Sequence, residues 1–426
     1  MPTLSPGPRD AVVDAPYGGP MVTTDGSTGS PAWRRAARTD LLAFARRSER
    51  PEGGFVWLDD AGEPDPDKNL ELWINARMTY VFALAHLSGA SDTLRLAEHG
   101  VRSLQTLFHD DEHGGWYDEV DVDGHTDDTD KRCYGHAHVL LAAATAVAAG
   151  AEGAQALLDE ATDLHTHHFW EHESGRCVES LSRDWTQVDP YRGANSNMHT
   201  VEAYLVAGDV TGHPVWHERA LSICERIIGI HARSHGWRIP EHYDHDWTPV
   251  PEYNVESPAD PFRPYGATPG HAFEWSRLLV QLAASLDEPR PWILEAAEAL
   301  FAQAVEDTAE DDTPGLAYTT DWHGEPVVRE RFHWVMAEAV LAAEALNTYT
   351  DSALYAGLAS RWWSEIAEHF VDDATGSWHH ELGPSMARST RTWRGKPDAY
   401  HAFNALTLPD LPLSPSAALT IGGDIA

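Results

Sequence analysis

Hydrophobic positions along the chain fall into two kinds of helix-period segment, and the two kinds alternate. Segments near 31–49, 91–108, 151–169, 213–231, 290–308 and 351–370 carry apolar residues on one face and many charges on the other, the pattern of a helix with one side buried. Segments near 69–88, 132–149, 194–208, 270–286, 331–348 and 398–407 are more apolar and Ala-rich along their length, as RCYGHAHVLLAAATAVAAG shows. Helices of the second kind are expected to be covered on most sides. The alternation predicts six pairs, each an outer helix and an inner one.

Between the pairs stand glycine-led loops: GGFVWLDD from Gly53, GGWYDEVDVDG from Gly114, GRCVESLSRDW from Gly175, GWRIPEHYDHDW from Gly236, GLAYTTDWHGE from Gly315 and GSWHHELGP from Gly376. With Gly54, Gly115, Gly175, Gly236, Gly315 and Gly376 as marks, the steps are 61, 60, 61, 79 and 61 residues. A fixed period means one supersecondary unit copied. Six copies with two helices each describe an all-α ring of helical hairpins around a central cavity, and such cavities hold small molecules. Short strands are expected in the loops at FVWL, WYDEV, CVESL, WRIPEHY, LAYTTDW and WHHEL. The long step carries TPVPEYNVESPADPFRPYG, residues 248–266, a Pro-rich insertion of the sort that sits on a functional face. Residues 1–30, rich in Pro, Gly, Ser and Thr, read as a disordered tail, 31–410 as one barrel domain, and 411–426 as a C-terminal tail without pattern.

Composition narrows the function. A net charge of −37, from 67 acidic and 30 basic residues, argues against nucleic acid and anionic membrane surfaces as partners. No apolar run approaches the roughly 20 residues that cross a bilayer, and the N-terminus lacks a basic-then-apolar signal pattern. Three cysteines are too few for a disulfide framework, so a reducing cytoplasm is the expected setting. The 17 Trp are a high count, and some are expected to stack on sugar faces while the majority pack between helices. Nothing in the sequence specifies an oligomeric state.

Candidate chemistry gathers in the first turns of the inner helices. Trp73 and Arg77 are four apart, as are Tyr134 and His138; Asn195, His199 and Glu202 fall at i, i+4 and i+7. His271 and Glu274 are three apart, Trp334 and Glu338 four, and His401 follows Asp398 by three. Residues at these spacings share one helix face. Six independent helices placing polar groups at the same end is hard to ascribe to packing, since burying so many is costly. Two histidines, His271 and His401, suit general acid–base work near neutral pH, and no Ser or Cys stands in a nucleophile motif. His165, His167 and His168, and His242 with His245, are weaker candidates for a metal. Rings at i, i+2 on a helix splay apart and the loop pair has no fixed carboxylate, so neither metal nor cofactor is expected.

The segments ANSNMHTVEAYLVAG (194–208), PGHAFEWSRLL (269–279), WINARMTYVFA (73–83) and KPDAYHAFNAL (396–406) resemble those of the N-acylglucosamine 2-epimerase superfamily. Within it they are most similar to the branch of D-mannose and sulfoquinovose isomerases, and the likeness covers about residues 31–410. The resemblance implies an (α/α)6 barrel and cofactor-independent aldose–ketose isomerisation through a cis-enediol, with D-mannose and D-fructose as the pair and D-lyxose and D-xylulose as a further one. It implies that His401 moves the proton between C2 and C1 and that His271 assists ring opening and oxygen-to-oxygen proton transfer. Arg77, Asn195, His199, Glu274 and Glu338 match positions that bind sugar hydroxyls or orient the histidines; Tyr134, Trp73 and Trp334 match the pocket wall. Arg77 is the natural donor to a developing oxyanion. Within the insertion, Arg263 is a candidate to reach the site and shape specificity.

Other readings remain at this point. A sulfoquinovose isomerase or a sugar 2-epimerase, acting on cellobiose or N-acylglucosamine, would use the same histidine pair. A glycoside hydrolase would need two dedicated carboxylates, for which Glu274 and Glu338 are available, but would leave the histidines without a role. A sugar-binding barrel without catalysis completes the set.

Overall fold

The computed structural model describes residues 27–308 and 313–423, so the expected N-terminal tail lies almost wholly outside the described residues. Inner helices α2 (Leu72–Leu87), α4 (Cys133–Ala148), α6 (Ala194–Thr211), α8 (Pro269–Ser285), α10 (His333–Thr350) and α12 (Tyr400–Thr407) pack each on the next. The ring closes where α12 meets α2. Outer helices α1 (Pro31–Ala45), α3 (Thr93–Thr106), α5 (Ala154–Leu164), α7 (Val215–Cys224), α9 (Pro291–Thr308) and α11 (Ala353–Glu365) form the second layer. The chain is an (α/α)6 barrel.

Burial follows the two patterns of the sequence. In α2 every residue except His86 is buried, as expected for a helix clasped between two inner neighbours and an outer one. In α3, Leu96, Ala97, Val101 and Leu104 are buried whereas Arg95 and Arg102 are exposed, so one stripe faces the ring. Helix starts obey local chemistry: the Ser30 hydroxyl accepts from Trp33 N at 3.3 Å and Pro31 occupies the first turn of α1, while Pro269 opens α8. Outer helices α5, α7 and α11 each end in a π-helical turn, His165–Phe169, Glu225–Ala232 and Ile366–Phe370, just before a glycine loop. Among the described residues no helix is long and apolar enough to cross a membrane.

Strands are shorter than the sequence suggests. Among the described residues one three-stranded sheet forms, pairing Pro326–Phe332 with Ala317–Thr320 on one side and Glu381–Leu382 on the other, all antiparallel. WYDEV contributes only Glu119–Val120, paired with Leu70–Glu71, and FVWL makes isolated bridges. Apart from Pro326–Phe332, each of these strands runs for only two to four residues before the chain turns.

A repeated ion pair pins these loops. An acidic residue just before the glycine of a repeat meets a cation on the segment that leads into the following inner helix. Asp110 bonds Lys131 Nζ at 3.0 Å, Glu171 meets Arg192 at 3.4 Å, and Asp372 bonds Lys396 Nζ at 2.5 Å. Lys131 and Lys396 are fully buried, so these carboxylates supply the counter-charge that solvent cannot.

The C-terminal stretch departs from expectation. Residues 417–423 form a short helix, α13 (Ala417–Gly423), which lies across α2, α4 and α6. Ala418 is buried, Ser416 N donates to Asp209 Oδ2 at 2.5 Å, and Gly422 approaches Leu87 and Ala148 at the ends of α2 and α4. The helix therefore covers the end of the ring away from the first turns. Its period was hidden because seven residues span barely two helical turns.

Asp110→Ala removes the carboxylate that the buried Lys131 bonds and leaves Arg183 with its exposed partner Glu112 alone. A loss of about 3–5 kcal/mol is expected, to be read as a lowered urea midpoint; an unchanged midpoint would mean the pins are dispensable.

Candidate active site

The inner helices all enter the ring from the loop side, so their first turns form one rim. Trp73, Arg77, Tyr134, Asn195, His199, His271, Glu274, Trp334 and His401 line a single cavity there, enclosing about 710 Å³ with its open mouth. Nine of the ten residues expected from sequence share that wall. The tenth, Glu338, lies directly behind it and is fully buried.

The two histidines are built alike. Nδ1 of His401 donates to Glu338 Oε1 at 2.8 Å, and Nδ1 of His271 donates to Glu241 Oε1 at 3.0 Å. A ring that donates from Nδ1 carries its lone pair on Nε2, the form needed to accept a proton. Both rings pack on Trp334, with centroids 5.7 and 5.4 Å away, so the indole spaces them. Burial, reinforced by the Arg77 charge, pushes the His401 imidazole well below its ordinary pKa and keeps it neutral.

Arg77 is buried and held on three sides. It donates to Asp398 Oδ2 at 3.2 Å, to the Tyr134 hydroxyl at 3.0 Å and to His138 Nε2 at 3.3 Å, and its plane faces Tyr400 at 4.7 Å. Its charge is therefore fixed in place before any ligand arrives.

Beneath the cavity a second guanidinium gathers three carboxylates. Arg277 Nε donates to Glu338 Oε2 at 3.0 Å, and its Nη2 lies 3.4 Å from Glu202 and 3.5 Å from Glu274. Burial would raise Glu202, but the Arg277 charge overcomes it and holds the carboxyl down at about 2; the Tyr400 hydroxyl also donates to it. Glu274 goes the other way: burial and the neighbouring Glu338 charge push it well above the usual carboxylate range. His199 Nδ1 sits 3.7 Å from Glu274 and 3.8 Å from Glu202, too far for a hydrogen bond, and burial lowers this ring to about 4. The groupings His199–Glu202–Glu274 and Glu274–Glu338–His401 have the compactness of metal sites. Arg277 already supplies the positive charge those carboxylates call for.

The weaker histidine candidates do not converge. His165 is buried against Tyr204 and Phe169 while His167 is exposed and pairs with Asp163. His242 bonds the Tyr191 hydroxyl at 2.7 Å and Pro264 O at 2.8 Å, and His245 stands in solvent beside Asp246. Arg263 also departs from expectation: it lies over Tyr191 and reaches Tyr253 and Glu179 rather than the cavity. Phe262, one residue earlier, is the side chain that enters, packing against Trp73, Tyr134 and Trp393 at the mouth.

Sequence reasoning missed Glu241, His333, His380, Tyr318 and Trp393. All but His333 come from loops and strands, where no helical spacing marks the inward side. His333 opens α10 but is overshadowed by Trp334 beside it.

The sequence profile of the N-acylglucosamine 2-epimerase (GlcNAc 2-epimerase) family matches residues 53–405. This chain belongs to that family. A D-mannose isomerase of Thermobifida fusca is 49% identical over 389 residues, covering 91% of this chain and 96% of the relative. A second, from Pseudomonas cannabina pv. alisalensis, is 44% identical over 396 residues, with 92% and 95% covered. The crystal structure of a D-mannose isomerase matches 91% of this chain and 100% of its own, at a TM-score of 0.85 and 30% identity.

A neutral buried imidazole makes stability depend on pH. His199 has an ordinary value of 6.5 unfolded and about 4 in the fold, so as pH falls the unfolded chain binds the proton first. Its contribution is whole above pH 6.5 and is lost between pH 6.5 and 4. His199→Gln should therefore flatten the acid-side decline in stability, by about 3 kcal/mol at pH 4. Urea midpoints across that window would check it, and equal slopes in both proteins would refute it.

Proposed function

We propose that this protein is an aldose–ketose isomerase that interconverts D-mannose and D-fructose, with D-lyxose and D-xylulose as a further pair, through a cis-enediol. The observation that carries the reading is the pair of imidazoles, each with Nδ1 tied to a carboxylate, spaced by Trp334 at one cavity wall. The names of the relatives agree with it.

In this mechanism Nε2 of neutral His401 takes the proton from C2 of the open-chain aldose. The C–H electrons form the C1=C2 bond, and the carbonyl electrons move onto O1. Arg77, prefixed by Asp398 and Tyr134, stabilises the charge growing on oxygen. His271 passes a proton from O2 to O1, the O2 electrons close the ketone, and C1 takes the proton back from His401. Oxidation at C2 balances reduction at C1, so the reaction needs no external oxidant or reductant.

Several features favour this reading over its rivals. Glu274 and Glu338 share one guanidinium and Glu338 also supports His401, so neither is free to act as the flanking acid or nucleophile of a hydrolase. Phe262 and Trp393 close over the mouth and suit one sugar ring better than a disaccharide. A sulfonated sugar calls for a dedicated cation, and Arg263 is turned elsewhere. The three cysteines are unpaired and buried, in keeping with a reducing cytoplasm.

Incubation of the chelator-treated protein with D-mannose in deuterated water, followed by NMR, should yield fructose with deuterium at C1 to the extent that the shuttled proton exchanges. Glucose as the main early product would instead make the chain a 2-epimerase. His401→Ala and His271→Ala should each lower kcat by at least about 10²–10⁴-fold while keeping wild-type circular dichroism; near-wild-type turnover in either would remove that residue from the mechanism.

A further inference from the structure

One buried acceptor in the cavity wall has no role in the chemistry above. His333, the first residue of α10, is 5% exposed and lines the cavity. Its backbone N–H and its ring Nδ1 both point at the carbonyl oxygen of His380, at 3.1 and 3.3 Å. Donation from Nδ1 leaves the lone pair on Nε2, and that atom is buried with no hydrogen-bond partner. The His380 imidazole stacks on this ring at 3.7 Å with planes 23° apart, which constrains its plane. Burial lowers the His333 imidazole to about 4, so the lone pair persists at neutral pH.

An unpartnered buried acceptor is costly unless something that enters the cavity donates to it. The donor must carry a hydrogen. A sugar hydroxyl does, whereas a sulfonate or carboxylate presents only lone pairs at neutral pH and would be repelled. We infer that His333 is a specificity-determining residue whose Nε2 accepts a hydrogen bond from one neutral hydroxyl of the sugar and rejects sugars that carry an anionic group in its place. The inference rests on the isomerase reading and deepens it. His380 serves as the positioning residue, fixing the tautomer through its carbonyl and the ring plane through its stack.

The test compares His333→Asn, which can keep the bond to the His380 carbonyl but has no atom at the Nε2 position, with His333→Gln, which restores an acceptor there. Initial rates are measured on D-mannose and on its 3-, 4- and 6-deoxy analogues. The Asn variant should lose about 10- to 100-fold in kcat/KM on D-mannose, chiefly through KM. On one deoxy analogue it should match the wild type, since the partner hydroxyl is already gone, and the Gln variant should recover most of the loss on D-mannose. Should the Asn variant not fold, His333→Phe, which keeps the stack, carries the same expectation. Equal losses on all four sugars, or no loss on D-mannose, would overturn this inference alone. Failure of the wild-type protein to form fructose would overturn the functional reading and this inference with it.

Discussion

Closure of the ring by α12 is the contact on which both fold and site depend. Five hairpins leave an open seam, and the inner helices that border it would expose apolar faces to water. The seam is shut by polar contacts as well as apolar ones. Tyr80 donates to Asn404 across it at 3.0 Å, Arg77 reaches Asp398, Tyr400 reaches Glu202, and His401 reaches Glu338. These same contacts orient the proposed base and the proposed oxyanion donor. Folding and assembly of the site are one event, because the residues that close the barrel are those that face its cavity.

The interior then sorts charge by position. Arg277 concentrates three carboxylates below the cavity, and Arg77 stands at its wall with one. Around them lie imidazoles that burial keeps neutral: His138, His199, His333, His380 and His401 are all pushed below their ordinary range. Neutral rings surrounded by fixed charges can exchange protons with a neutral substrate without importing a new charge into a dry site. This is a setting for shuttling protons between neighbouring carbons and oxygens.

Much of the site could be read from spacing. Arg77, His199, His271 and His401 each fall one helical turn or less from another inward polar residue, so a rule of three or four residues finds them. Glu241 holds His271 as firmly as Glu338 holds His401, yet it stands in WRIPEHY, where the chain has no period to reveal which way a side chain turns. The insertion shows the same limit: charge drew notice to Arg263, but backbone direction over two residues sends Phe262 inward and Arg263 out.

Six helical hairpins, their order, the inner and outer layers and the helix face bearing the chemistry are all local properties, since apolar period and glycine spacing act over a few turns of chain. That the fold is a barrel of this family was equally readable, because motifs such as PGHAFEWSRLL are contiguous. Pairings across the ring are another matter: Glu338 with His401, Arg77 with Asp398, and His333 under His380 join residues dozens to hundreds of positions apart. Which lone pair faces the substrate, and which carboxylate keeps its proton, depend on burial and on those distant partners, and both exist only once the ring has closed.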